Sequence, residues 1–182
     1  MQPIKLLHST LESVASSERY LYTPNDLRGL FPDHSEVAFR SILLRAEKNG
    51  LLRRVCRGVY LYCNIDYPKG YLLYHLVTKL RPLAFNYLSL ESELSNLGII
   101  SQIPINWLTV MSSGRSSIVK CGDFGTIEFT HTKKLANDLA SDLFYDRRFA
   151  MWRALPALAI RDLRRVGRNL DLIDEGVQND LI

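Results

Sequence analysis

The chain has few of the residues that build catalytic or metal centres. Its 3 cysteines, Cys56, Cys63 and Cys121, are an odd number without repeated spacing, which argues against a disulfide framework and leaves a zinc site without a second ligand pair. The 4 histidines, His8, His34, His75 and His131, lie far apart, and no two have metal-ligand spacing. Gly98, Gly114, Gly122 and Gly125 make neither GxGxxG nor a Walker loop. The string Gly122-Asp123-Phe124-Gly125 copies a magnesium-binding tripeptide of protein kinases, but the glycine-rich loop, strand lysine and HRD loop that go with it are missing, so a turn is expected there. We therefore expect no enzyme, no metal and no cofactor.

Long apolar runs are also missing. No stretch approaches the length of a membrane span, and the opening Met-Gln-Pro-Ile-Lys-Leu-Leu-His has no signal-peptide core, so a cytoplasmic protein without a membrane partner is expected. No internal repeat or low-complexity tract stands out.

What remains is a globular composition. With 182 residues, 47% hydrophobic and 23% charged, the chain can bury one large core or two small ones. A net charge of +4 and a pI of about 9.0 permit a nucleic-acid partner without demanding one. The placement of that charge decides more than its total.

Apolar residues Ile4, Leu7, Leu11, Val14 and Ala15 recur at helical spacing and predict a helix over about 4–19. Tyr20, Leu21 and Tyr22 form an extended link, and Thr23-Pro24 is a good start for a short helix over 24–30. After a turn at Phe31-Pro32-Asp33, a longer helix is predicted over about 35–49, stopped by Gly50. Phe39, Ile42, Leu43 and Ala46 make its apolar face, while Arg40, Ser41, Arg45 and Lys48 lie away from it and His34, Ser35 and Glu36 sit at its amino end. Val37 and Leu44 break the pattern, because they project to the polar side. A strand from Leu51, a turn at Gly58 and the return Val59-Tyr60-Leu61-Tyr62 give a hairpin carrying Arg53, Arg54 and Arg57. Two helices and a basic hairpin are the outline of a winged helix-turn-helix, and between Arg28 and Arg57 the bases outweigh Asp33, Glu36 and Glu47, which favours double-stranded DNA as the partner. The expected DNA contacts are His34, Ser35, Glu36, Arg40, Ser41, Arg45, Lys48, Arg53, Arg54 and Arg57.

Residues 64–70 are expected to be a linker, dividing the chain into a DNA-binding domain over 1–63 and a second domain over 64–182. In the second, helices are predicted over 71–80 and from Ser89, which can act as a cap, to Gly98. An extended loop carrying Pro104 comes next. Strands are expected at 107–111, 117–120 and 126–130, forming a small antiparallel sheet on helices, so the fold class is α+β. Glu91 and Glu93 are expected to be solvated. The loop Ser112-Ser113-Gly114-Arg115-Ser116 has the composition of a phosphate cradle and equally of a plain polar turn. From about Asp138 the chain is expected to be helical and basic, with Pro156 dividing two helices near Leu155 and an acidic end at Asp171, Asp174, Glu175 and Asp180. Arg115, Arg147, Arg148, Arg153, Arg161, Arg164, Arg165 and Arg168 are candidates for a second basic surface, or simply for a solvated cationic face.

The order of these features is more specific than any one of them. The helix-turn-helix, then Gly50-Leu-Leu-Arg-Arg-Val-Cys-Arg-Gly-Val-Tyr60, then Tyr87-Leu-Ser-Leu-Glu-Ser-Glu-Leu-Ser-Asn-Leu-Gly98-Ile-Ile, then Leu108-Thr-Val, Gly114-Arg115 and Phe129-Thr-His131, resembles the AbiEi family of type IV toxin-antitoxin antitoxins over most of the chain. The resemblance implies an antitoxin that represses its own operon, binding inverted repeats at its promoter through the winged helix. It also implies that the second domain counters a cognate nucleotidyltransferase-like toxin, commonly without a stable complex. The stretch Ala154-Leu-Pro-Ala-Leu-Ala-Ile160 lacks the Glu-Lys pair that the family often carries there. The alternative is a protein-binding antitoxin whose basic C-terminal helices grip an acidic toxin, with DNA binding secondary.

Overall fold

The computed structural model describes residues 2–101 and 105–172. The chain divides into two units, Met1–Leu72 and Leu73–Ile182.

In the first unit, α1 (Pro3–Val14) starts on a proline, whose missing N–H is not needed there. It ends before the predicted 19, because the Ser16 hydroxyl accepts from the N–H groups of Glu18 and Arg19 and closes a turn. The extended link becomes β1 (Leu21–Tyr22). A capping box then starts α2 (Pro24–Arg28): the Asp26 N–H donates to the Thr23 hydroxyl at 3.2 Å, and the Thr23 N–H donates to the Asp26 carboxylate at 2.8 Å. Ser35 caps α3 (Glu36–Lys48), its hydroxyl accepting from the Ala38 N–H at 3.2 Å. Phe39, Ile42, Leu43 and Ala46 of α3 are buried, as their periodicity predicts, in a core with Leu7, Leu11, Leu27 and Phe31. Gly50, at φ 70°, lets the chain leave the helix.

The hairpin is β2 (Leu52–Cys56) and β3 (Val59–Tyr62), antiparallel with Arg54 opposite Tyr60 and an irregularity between Arg54 and Cys56. β1 pairs with the other side of β3, giving a three-stranded sheet in the order β1-β3-β2. The predicted linker is held in this unit. The Tyr67 ring stacks on Tyr20 at 4.9 Å, Ile65 packs against the core, and the Asn64 amide donates to His8. The division therefore falls after Leu72, not after Cys63.

The second part holds α4 (Leu72–Leu80), β4 (Asn86–Leu88), α5 (Leu90–Asn96), β5 (Trp107–Ser112), β6 (Ser117–Lys120), β7 (Thr126–His131), β8 (Leu143–Asp146), β9 (Met151–Ala154) and α6 (Pro156–Val166). Its sheet corrects the expected small antiparallel one: it has six strands in the order β6-β7-β5-β4-β9-β8, with β5 parallel to β7 and β4 parallel to β9. The reason is burial. β5 is covered from Leu108 to Ser112 and takes an interior position, whereas the exposed β6 goes to an edge and leaves β7 between them. The expected helix before Leu155 is also corrected, because Leu143-Phe-Tyr-Asp146 and Met151-Trp-Arg-Ala154 pair as strands, with Tyr145 opposite Trp152. Aromatic residues favour that pleated surface. Pro156 begins α6 and divides nothing.

Tyr87, Leu90, Leu94, Met111, Leu158 and Leu163 share the core of this unit. Ser89, expected as a cap, makes no side-chain cap bond and donates instead to the Asp162 carboxylate at 2.9 Å. The Gly122–Phe124 stretch is a single turn, as expected. A side chain at Gly125, φ 124°, would come within 2.2 Å of the Asn106 carbonyl oxygen. Pro104 of the expected loop, and Asp174, Glu175 and Asp180 of the acidic end, lie outside the described residues.

Thr23→Ala removes one side of the capping box from a helix of five residues. We expect it to lower the unfolding free energy of the first unit by about 1 kcal/mol in urea denaturation; an unchanged midpoint would show that α2 is held by packing alone.

Candidate nucleic-acid interface

The geometry of the first unit starts from Arg28. Its guanidinium donates to the carbonyls of Phe31 and His34 and lies 5.2 Å from the centroid of the Phe39 ring. The side chain thus ties the end of α2 to the start of α3 and sets the angle at which α3 is presented. In the sequence Arg28 counts toward the local excess of bases; in the structure it is a brace, with donors turned onto backbone acceptors.

The three expected residues at the amino end of α3 also have structural work. The His34 ring meets Phe31 edge-on at 5.5 Å, the Ser35 hydroxyl is the helix cap, and Glu36 accepts from Arg40 at 3.0 Å. Further along, Arg40, Ser41, Arg45 and Lys48 are exposed together on the face opposite the core. The Ser41 hydroxyl donates to the Val37 carbonyl, and Arg45 donates to the Ser41 carbonyl at 3.3 Å, contacts that lie along the helix and leave both side chains at the surface. Among the described residues no hydrogen bond or ion pair holds the side chains of Lys48 and Arg57. Arg53, Arg54 and Arg57 are all exposed on the hairpin, whose turn is made at Gly58, φ 80°. Arg54 donates to the Cys56 carbonyl across the irregularity in β2. Every residue of the expected DNA set therefore lies on α3, its approach or the hairpin.

The second basic set is not brought together. Arg153 is buried between carboxylates: one side of its guanidinium meets Glu93 at 3.0 Å and the other Asp146 at 2.8 Å, with the rings of Phe149 and Phe144 at 4.5 and 5.1 Å. Arg148 pairs with Asp146 at 3.0 Å, Arg161 with Asp142, and Arg168 with both Glu91 and Glu128. Burial takes Arg153 out of the expected basic surface, whereas Arg148 and Arg161 are exposed and paired with a neighbouring carboxylate, as Arg40 is with Glu36. Arg147, Arg164 and Arg165 are exposed, and Arg115 lies in a loop that the Arg81 guanidinium closes by donating to Ser112, to Ser117 and to the Arg115 carbonyl. The position of a phosphate cradle is thus occupied by a cation of the chain itself. The expectation that Glu91 and Glu93 are solvated is likewise overturned, since both are buried.

Other polar groups of this unit are also internal. Asp162, fully buried, accepts from the Tyr87 hydroxyl at 2.8 Å and from Ser89, with the Lys134 ammonium 3.7 Å from its other oxygen. Burial, then the charge of Asp162, pushes the Tyr87 hydroxyl above its ordinary range. His75 donates to the Arg148 carbonyl and the His131 ring meets the Gly114 carbonyl. Among the described residues no three His, Cys, Asp or Glu side chains are placed to hold a metal ion, and no helix is long and apolar enough to cross a membrane. No known family model matches the chain, and neither does any curated protein sequence.

The two carboxylates on Arg153 titrate in opposite senses. Burial pushes Glu93 up from 4.5 to about 7 against the pull of Arg153, whereas hydrogen bonds from Arg148 pull Asp146 down from 3.8 to about 2. A raised folded value means stability that is present below 4.5 and is lost as pH rises through about 7; the depressed one means stability present above 3.8 and lost as pH falls through about 2. We expect Glu93→Gln to remove the decline between pH 4.5 and about 7 in urea denaturation across pH, while leaving the acid limb in place. An unchanged decline would assign it to other groups.

Proposed function

We propose that the chain is a DNA-binding transcriptional regulator whose first unit is a winged helix-turn-helix, with α2 and α3 as the paired helices, α3 in the major groove and the β2–β3 hairpin as the wing. One observation carries this reading: the outward face of α3 and the hairpin together display Arg40, Arg45, Lys48, Arg53, Arg54 and Arg57 at the surface, Arg40 with Glu36 beside it. A phosphate backbone is the partner that uses such a display, because each neutralised phosphate releases counterions.

The resemblance of the 87–100 segment to the AbiEi family supports a fuller reading, in which the operator is the promoter of the chain's own operon and the second unit counters a nucleotidyltransferase-like toxin. The reading in which basic C-terminal helices grip an acidic toxin has less support. Arg148, Arg153, Arg161 and Arg168 already face carboxylates of the same unit.

A gel shift on the DNA upstream of the gene tests the wing. Arg53→Ala/Arg54→Ala is expected to weaken binding on the order of tenfold, alike on all sequences, and to reduce its dependence on salt. Binding that stays as tight and is insensitive to salt would contradict the assignment.

A further inference from the structure

Val37 and Leu44 lie on the same outward face of α3 and are 74% and 56% exposed. At about 100° per residue, Leu44 projects within about 20° of Val37, with Ser41 and Lys48 beside them and Arg40 and Arg45 flanking at roughly 60° and 80° on either side. The buried residues Phe39, Ile42, Leu43 and Ala46 are centred on the opposite side of the helix. Two aliphatic side chains thus form the crest of the face that points directly away from the core, inside a border of cations.

We propose that this crest reads thymine, Val37 and Leu44 each covering the 5-methyl group of a thymine in the major groove. The inference rests on the DNA-binding reading above and adds to it which base pairs are read. The thymine methyl is the apolar group that a base pair offers in the major groove, and aliphatic side chains recognise it by removing it from water. Arg45 and Lys48 complement phosphates on one side of the groove, and on the other Arg40 stands beside Glu36 at 3.0 Å in a solvent-exposed pair that a phosphate can replace. That charge arrangement fits a duplex better than a protein groove, which would meet the aliphatic pair with apolar residues and leave the cations to find acids.

The spacing makes the proposal specific. Residues 37 and 44 are seven positions apart, which is about 10.5 Å along a helix rising about 1.5 Å per residue. Base pairs are stacked about 3.4 Å apart along the axis and somewhat farther along the winding groove, so the two methyls lie about two to three base-pair steps apart, on either strand.

The test is selection of duplexes by the full chain from a random pool, followed by replacement of individual thymines with deoxyuridine, which removes only the methyl. The expected motif contains two T·A pairs about two to three steps apart. Each deoxyuridine should weaken binding about fourfold, the effect of exposing one methyl, and Val37→Ala/Leu44→Ala, both at exposed positions, should bind the thymine and deoxyuridine duplexes equally. A selected motif without that pair, or affinities unmoved by deoxyuridine, would overturn the inference and leave DNA binding standing. If no duplex is enriched, the DNA-binding reading falls and the inference with it.

Discussion

The second unit depends on the removal of one guanidinium from water. Arg153 sits in β9 with 7% of its surface exposed, and three elements converge on it: α5 through Glu93, β8 through Asp146, and the turn between β8 and β9 through Phe149. A buried cation without partners is prohibitive, and truncating one member of such a cluster costs on the order of 3–5 kcal/mol because it leaves an uncompensated charge. The carboxylates must therefore be where they are, and this fixes the edge of the sheet against α5. Arg168 makes a similar tie from the end of α6 to Glu91 and Glu128.

The first unit uses its cations in the opposite way. Arg28 is the exception that serves the fold, bracing the turn between α2 and α3 through the Phe31 and His34 carbonyls and lying against Phe39 of α3. Along α3 and the hairpin the basic groups stand at the surface; Arg45 and Arg54 donate to nearby carbonyls of the same element and Arg40 to the Glu36 carboxylate. A mildly basic net charge of +4 thus conceals different uses of arginine: Arg153 buried between carboxylates and Arg168 tied to Glu91 and Glu128 in the second unit, and a basic face displayed by the first. The division of labour proposed here follows from that partition rather than from the total.

Much of the first unit was legible. The spacing of Phe39, Ile42, Leu43 and Ala46 gives the buried face of α3, and Thr23-Pro24 and Gly50 give helix ends, because these signals are local. The role of Arg28 was not legible, since its acceptors are carbonyls that a count of charges does not see. In the second unit the strands at 107–111, 117–120 and 126–130 were found, but their order was not, because it depends on which strand is covered on both faces. β8 and β9 were missed: their arginines and aromatics resemble an amphipathic helix until Tyr145 is set opposite Trp152. Glu93 and Glu91 look solvated in the sequence because their partners are 60 and 77 residues away.

The partition of cations is the central claim, and the slope of log affinity against log salt measures it directly on the full chain. Lys48→Gln and Arg57→Gln, at exposed positions of α3 and the hairpin, should each reduce the slope by about 0.9, one phosphate contact apiece, while Arg164→Gln/Arg165→Gln on α6 should leave it unchanged. A slope that stays constant in the first two variants and falls in the third would contradict the account.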